Sequence, residues 1–216
     1  MRRSGGGVLG AVVLVVILVA VAFVGYRFVT NRNAVSVAII GDSITDISRA
    51  VFDQSLGSDY QLNVDGVGGA RIDQMEGEAD KVAATAPQQL VINLGTNDVV
   101  GKLPPDQSMA SYEEMVGKFP GTKCLHLVTL NENIVSFVDP DLKNRTVEFN
   151  TKLRAFATKH QARVIEWDRI VREYLAAGEP EGHLSNDTIH PTELGQRKLA
   201  QATRASLDAC RGSLTG

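Results

Sequence analysis

Cysteine is nearly absent from this chain: its 216 residues include two, Cys124 and Cys210. Neither stands at the short spacing that a zinc site or a redox dithiol needs, so metal-stapled and thioredoxin-like readings lose their basis. An even count permits a disulfide in an oxidising compartment, with two buried thiols as the alternative. Basic excess is also missing beyond the N-terminus. Residues 1–33 carry four arginines and no acid, while the remainder carries 18 basic against 25 acidic side chains, a formal net charge of −7. Such a domain is disfavoured as a binder of nucleic acid or other polyanions. The chain has no internal repeat, and its length suits one sizeable core rather than two.

The one long stretch without charge runs from Val8 to Tyr26. Its length is close to the roughly 20 residues that a bilayer-crossing helix needs. Ala20-Val21-Ala22 imitates a signal-peptidase site, but these residues lie inside the apolar run with no polar region before them, which favours an uncleaved anchor. Arg2, Arg3 and the terminal amine outnumber Arg27 and Arg32 by one charge, so the positive-inside rule puts the N-terminus in the cytoplasm and the domain outside it. The expected organisation is a short segment 1–7, a transmembrane anchor 8–29, a tether 30–34 and a catalytic-sized domain 35–216.

Within that domain, apolar β-rich runs at Val35 to Ile40, Gln61 to Val64, Leu90 to Leu94, Cys124 to Leu130 and Arg163 to Trp167 alternate with helical patterns. The helices are expected at Ile47 to Leu56, Ile72 to Ala86, Tyr112 to Lys118, Asp141 to Lys159, Arg169 to Ala176 and Thr192 to Ala209. Val99 to Ser111 and Asn131 to Pro140 read as loops that shape a pocket. Alternating elements with near-continuous Val, Ile and Leu in the strands imply a parallel sheet covered by helices on both faces. In such a sheet, functional residues gather past the carboxyl ends of the strands.

Four segments stand at those ends. Gly41-Asp42-Ser43-Ile44 follows the first strand, where Ser43 is either a helix N-cap or a nucleophile. Asp187-Thr188-Ile189-His190 precedes the last helix and spaces a carboxylate and an imidazole within one turn. There Asp187 can hold the Nδ1 proton of His190 and leave Nε2 as a base for a serine hydroxyl. A surface Asp and His, or two metal ligands, are the competing readings, and no further ligand cluster completes a metal site. Asp65-Gly66-Val67-Gly68-Gly69 follows the second strand. It is a turn or a source of amide donors rather than a nucleotide loop, because Arg71 stands where the last glycine of G-x-G-x-x-G belongs. Gly95-Thr96-Asn97-Asp98 follows the third strand and offers the neutral amide of Asn97, unless that residue serves the turn alone.

Taken together and in this order, the four segments resemble the conserved blocks of the SGNH (GDSL-like) hydrolase superfamily over residues 35 to 211. The resemblance implies a three-layer α/β/α sandwich with a five-stranded parallel, flavodoxin-like sheet. It implies Ser43 as nucleophile, His190 as base and acid, Asp187 as its orienting partner, and an oxyanion hole from the Ser43 amide, the Gly69 amide and the Asn97 side chain. Gly69 ranks ahead of Gly66 and Gly68. No metal or other cofactor is implied.

The expected activity is hydrolysis of a short-chain acyl or acetyl ester on an acylated small molecule, carbohydrate or lipid of the cell envelope. O-acyl transfer to a carbohydrate hydroxyl and a non-catalytic envelope-binding module are the alternatives. Asp42 and Asp98 are expected to brace turns. His126 and His160 are expected to be structural or solvated, Trp167 to belong to the core rather than to wall the pocket, and His183 has no spacing that assigns it a role. Cys124 and Cys210 are both expected at the sheet edge opposite the site.

Overall fold

The computed structural model describes residues 12–19 and 34–214, and the chain divides into two units, Met1–Ala34 and Val35–Gly216. In the first, residues 12–19 are helical, all aliphatic, and each has more than half of its surface exposed. Among the described residues no helix is long and apolar enough to cross a membrane. The remainder of the expected anchor over 8–29, and the tether up to residue 33, lie outside the described residues.

Five strands build the second unit: β1 Val35–Gly41, β2 Tyr60–Gly66, β3 Gln89–Asn93, β4 Cys124–Val128 and β5 Arg163–Ile165. All pair in parallel, in the order β2-β1-β3-β4-β5. Because strand side chains alternate between faces, β1 feeds two cores at once. Ala38 and Ile40 join a cluster with Leu90, Ile92 and the helices α2 (Glu76–Ala83), α4 (Pro105–Gly117) and α5 (Leu142–Lys159). Val37 and Ile39 join Val91, Val128 and the helices α1 (Ser43–Leu56), α6 (Trp167–Ala176) and α7 (Glu193–Leu214) on the other face. The result is the expected three-layer sandwich.

Some boundaries differ from expectation for local reasons. Most of the stretch from Val99 to Ser111 is helical rather than loop, since a short α3 (Thr96–Val100) and the first turns of α4 occupy it. Proline at 105 reads as a breaker, yet at the first helical position its missing N–H is no loss and its fixed φ suits the helix. The fifth strand stops at Ile165, and Trp167 instead opens α6 with its ring buried in the second core.

At the amino ends of the strands, Cys124 of β4 and Cys210 of α7 form a disulfide that spans 86 residues of sequence. His126 lies beside it, fully buried. Its Nε2–H donates to Gln89 Oε1 at 3.0 Å and its Nδ1 accepts from the Ser206 hydroxyl at 2.7 Å. Burial lowers its pKa to about 4, so the ring is neutral at ordinary pH.

In the chain-entropy model a bridge closing a loop of this length stabilises by about 4–5 kcal/mol. Replacing both cysteines by serine should therefore lower the urea midpoint of the purified domain by a corresponding amount. An unchanged midpoint would show that the bridge contributes nothing to stability.

Candidate active site

Register places the site. Gly41, the last residue of β1, pairs with Gly66 on β2 and with Asn93 on β3, so three carboxyl ends finish side by side. Strand β1 is also where the connection order reverses, with β2 on one side and β3 on the other, which opens a crevice beyond the sheet. The chain ends are tied there: Val67 N–H donates to the Gly41 carbonyl at 3.0 Å, and Asp42 N–H to the Asn93 carbonyl at 3.3 Å.

Helix α1 starts in this crevice. Its N-cap is Asp42, whose Oδ1 accepts from Ile44 N–H at 2.9 Å. A serine after a strand is often consumed as the cap. Here the preceding carboxylate does that work, and Ser43, one position later, keeps its hydroxyl for another partner. That partner is His190, with Oγ and Nε2 2.9 Å apart across 147 residues of sequence.

His190 belongs to a tightly closed loop. Ser185 and Pro191 form an antiparallel bridge, and Thr192 N–H donates to the Leu184 carbonyl at 2.8 Å before α7 begins. At the loop tip Asp187 Oδ1 accepts from the backbone N–H groups of Ile189 and His190, at 2.9 and 2.6 Å. Its Oδ2 lies 2.7 Å from His190 Nδ1. With Nδ1–H donating to the carboxylate, the Nε2 lone pair faces the serine. Partial burial opposes ionisation of Asp187, but the hydrogen bonds from the His190 ring and from the two amides hold its pKa down at about 2. The ring and the carboxylate are both about half exposed, so this side of the site is open.

The two glycine-bearing segments complete the rim. Ala70 N–H donates to the Val67 carbonyl at 3.2 Å, a four-residue turn with Gly69 at its third position and φ of +73°. Turns of this kind need a residue that tolerates positive φ there. Of the three glycines at this loop only Gly69 has it. Gly95, with φ of +118°, turns the chain into α3 so closely over Phe149 that a Cβ would sit 2.2 Å from its ring. Asn97 then reaches back, its Nδ2 donating to the Ala70 carbonyl at 3.0 Å. That bond uses one of two amide hydrogens. Among the described residues no acceptor takes the backbone N–H of Ser43 or of Gly69.

Asp98 is buried and accepts from Ile72 N–H at 3.2 Å and the Ser108 hydroxyl at 3.1 Å, bracing the turn as expected. His160 stacks on Phe156 and bonds Glu113, and His183 lies near Tyr174 on the surface. Neither reaches the site.

Sequence reasoning overlooked the residues that hold the catalytic loop. Asn131, three residues past β4, donates from Nδ2 to the Thr188 carbonyl at 2.8 Å, and Val135 N–H donates to the Thr188 hydroxyl at 3.0 Å. Thr188 itself has φ of +65°, unusual for a β-branched residue and sustained by these contacts. Behind Asn131, the buried Asn150 of α5 bonds both the N–H and the carbonyl of Leu130, at 2.8 and 2.9 Å. The position of Asn131 just past a strand was the available signal.

A family model described as GDSL-like lipase/acylhydrolase matches residues 39–198. No curated protein matches the sequence. Among solved structures, LAE5, an alpha/beta hydrolase enzyme from the metagenome of Lake Arreo, superposes with a TM-score of 0.68 at 20% identity, covering 80% of this chain and 95% of that one. A variant of Axe2, an acetyl-xylooligosaccharide esterase from Geobacillus stearothermophilus, has a TM-score of 0.68 at 18% identity, covering 79% and 93%. A lipolytic G-D-S-L family protein from Veillonella parvula has 0.67 at 20%, covering 80% and 97%. At these identities the likeness is one of fold.

The cap carboxyl is itself unusual. Burial raises the pKa of Asp42 from 3.8 to about 6 against the opposing pull of the Ile44 amide, His190 and the Thr96 hydroxyl. A raised carboxyl pKa means that the folded state holds the proton longer, so the associated stability is complete below pH 3.8 and is lost as pH climbs through 6. Asp42→Asn should thus gain on wild type between pH 4 and pH 8, reaching about 3 kcal/mol at the upper end. Urea titrations of both proteins across this range test it. A difference independent of pH would mean that the carboxyl titrates outside that window.

Proposed function

The chain belongs to the GDSL-like lipase/acylhydrolase family, a family of ester hydrolases, and on that premise we propose that it is a serine esterase with Ser43, His190 and Asp187 as its triad. The observation that carries the assignment is the unbroken line from Ser43 Oγ through His190, 2.9 Å on one side of the ring and 2.7 Å on the other, to a carboxylate held ionised.

In the first half-reaction the Ser43 oxygen forms a bond to the ester carbonyl carbon as its proton passes to His190 Nε2. The carbonyl oxygen becomes an oxyanion. The amides of Ser43 and Gly69 and the second Nδ2 hydrogen of Asn97 stabilise it, and such donors are usually among the largest contributions to rate. Collapse breaks the bond to the alcohol oxygen, which leaves with the proton from His190. Water then adds to the acyl-enzyme while giving its proton to His190. Ser43 recovers that proton as the carboxylic acid departs. Asp187 stays ionised throughout and stabilises the imidazolium.

The substrate is an ester of a short acyl group whose alcohol component is a small molecule, carbohydrate or lipid. The acetyl-xylooligosaccharide esterase among the fold neighbours supports a sugar alcohol. We place the domain outside the cytoplasm on its uncleaved N-terminal anchor. The uncharged run from Val8 to Tyr26 and the Cys124–Cys210 bridge support that location.

Ser43→Ala should lower kcat/KM for 4-nitrophenyl acetate by at least about a thousandfold and abolish labelling by a fluorophosphonate, with an unchanged circular dichroism spectrum. A folded, active variant would remove Ser43 from the mechanism. Asn97→Ala should cost about a hundredfold to a thousandfold in kcat, and an intact kcat would remove its amide from the oxyanion hole. For the location, protease added outside intact cells should degrade the domain of the membrane-fractionated full chain. Protection in intact cells, or recovery only in the soluble fraction, would overturn it.

A further inference from the structure

A small apolar recess lies among residues that adjoin the candidate site in sequence. Its walls include Ile44, which follows the nucleophile, Thr96, which precedes Asn97, and Ile189, which precedes His190. Val99, Leu130 and Ile134 close its far side. These three are buried, at 1%, 5% and 2% exposure, and all belong to the core that packs against α4 and α5. The recess therefore touches the serine, oxyanion and histidine segments together, and part of its wall belongs to the packed core.

Two of its three polar members, Asn131 and Thr188, are already committed. The amide of Asn131 donates to the Thr188 carbonyl while its Oδ1 accepts from Asn133 N–H, and the Thr188 hydroxyl accepts from Val135 N–H. What faces the cavity is hydrocarbon. The cavity measures about 10 Å³, room for roughly one water-sized sphere. A methyl group is the largest alkyl end that such a space takes without displacing its walls.

Resting on the esterase reading above, we propose that this recess is the acyl seat, that it restricts the enzyme to acetyl esters, and that Ile134 at its back sets the limit. The leaving alcohol must stand within reach of His190 Nε2 to receive its proton. His190 and Asp187 have about half of their side-chain surface open to solvent, so a large alcohol such as a sugar fits on that side. A closed apolar recess suits the other half of the ester. Longer acyl chains would need Ile134 or Val99 to move, and overpacking of a dense wall is unfavourable. Ile134 leads because it sits in the segment between β4 and α5 rather than in a regular element, so truncating it enlarges the seat with little effect on the sheet.

The test compares kcat/KM for 4-nitrophenyl acetate, butyrate and hexanoate. Wild type should lose about tenfold or more from acetate to butyrate and again to hexanoate. Ile134→Ala should raise the butyrate-to-acetate ratio by about tenfold or more. Val99→Ala provides a second enlargement should Ile134→Ala not fold. Methyl and hexyl fluorophosphonates, used on wild type alone, should label Ser43 at rates that differ in the same direction. Equal turnover of acetate and hexanoate, or a ratio unmoved in a folded Ile134→Ala, overturns the acetyl seat and leaves the esterase standing. Failure of all three esters together with no Ser43 labelling overturns the esterase reading and the seat with it.

Discussion

The parallel register across β2, β1 and β3 is the constraint on which the site depends. Because Gly66, Gly41 and Asn93 end level with one another, the next few residues of three separate segments are forced into the same crevice. Ser43 is two residues beyond its strand end, Gly69 three and Asn97 four. A slip of one residue in either pairing would turn each strand's core side chains to the opposite face. The two-core sandwich forbids that slip. The hydrophobic alternation of β1, with Val37 and Ile39 on one face and Ala38 and Ile40 on the other, thus fixes a catalytic geometry in which none of those residues takes part.

The histidine arrives by a different route, and its placement has its own supports. It sits on a loop rather than a strand end, and a loop alone would give a loose base. Three ties stiffen it: the bridge between Ser185 and Pro191, the carboxylate of Asp187 folded over the loop's own amides, and Asn131 gripping the Thr188 carbonyl. The last of these connects the loop to the sheet, since Asn150 fixes Leu130 immediately before Asn131. Helix α5 serves both halves of the site, because its Phe149 also lies beneath Gly95 at the start of the Asn97 segment. One buried helix face therefore coordinates the oxyanion side and the base side.

Much of this was legible in the sequence, and what escaped it did so for physical reasons. Strands with continuous Val and Ile, glycines past their ends and the D-x-x-H spacing are local signals that survive folding unchanged. The first turns of α4 escaped because Pro104-Pro105 is read as a break, whereas proline is favoured at a helix start. Asn131 and Asn150 escaped because their function is a long-range hydrogen bond to a backbone group. No spacing rule encodes such a partner. The choice between Ser43 as cap and Ser43 as nucleophile was open from the sequence alone; in the structure Asp42 takes the Ile44 amide, and the Ser43 hydroxyl is left to His190.

Asp42 also occupies a place where a neutral cap would be less costly. Asn or Ser would satisfy the Ile44 amide without burying a charge. A carboxylate there is desolvated, yet it lies near enough to His190 to interact with it electrostatically. The carboxyl is ionised only above pH 6 or so, and in that same range it detracts most from stability. A buried carboxyl that detracts from stability at the rim of a candidate site is what a trade between stability and activity predicts.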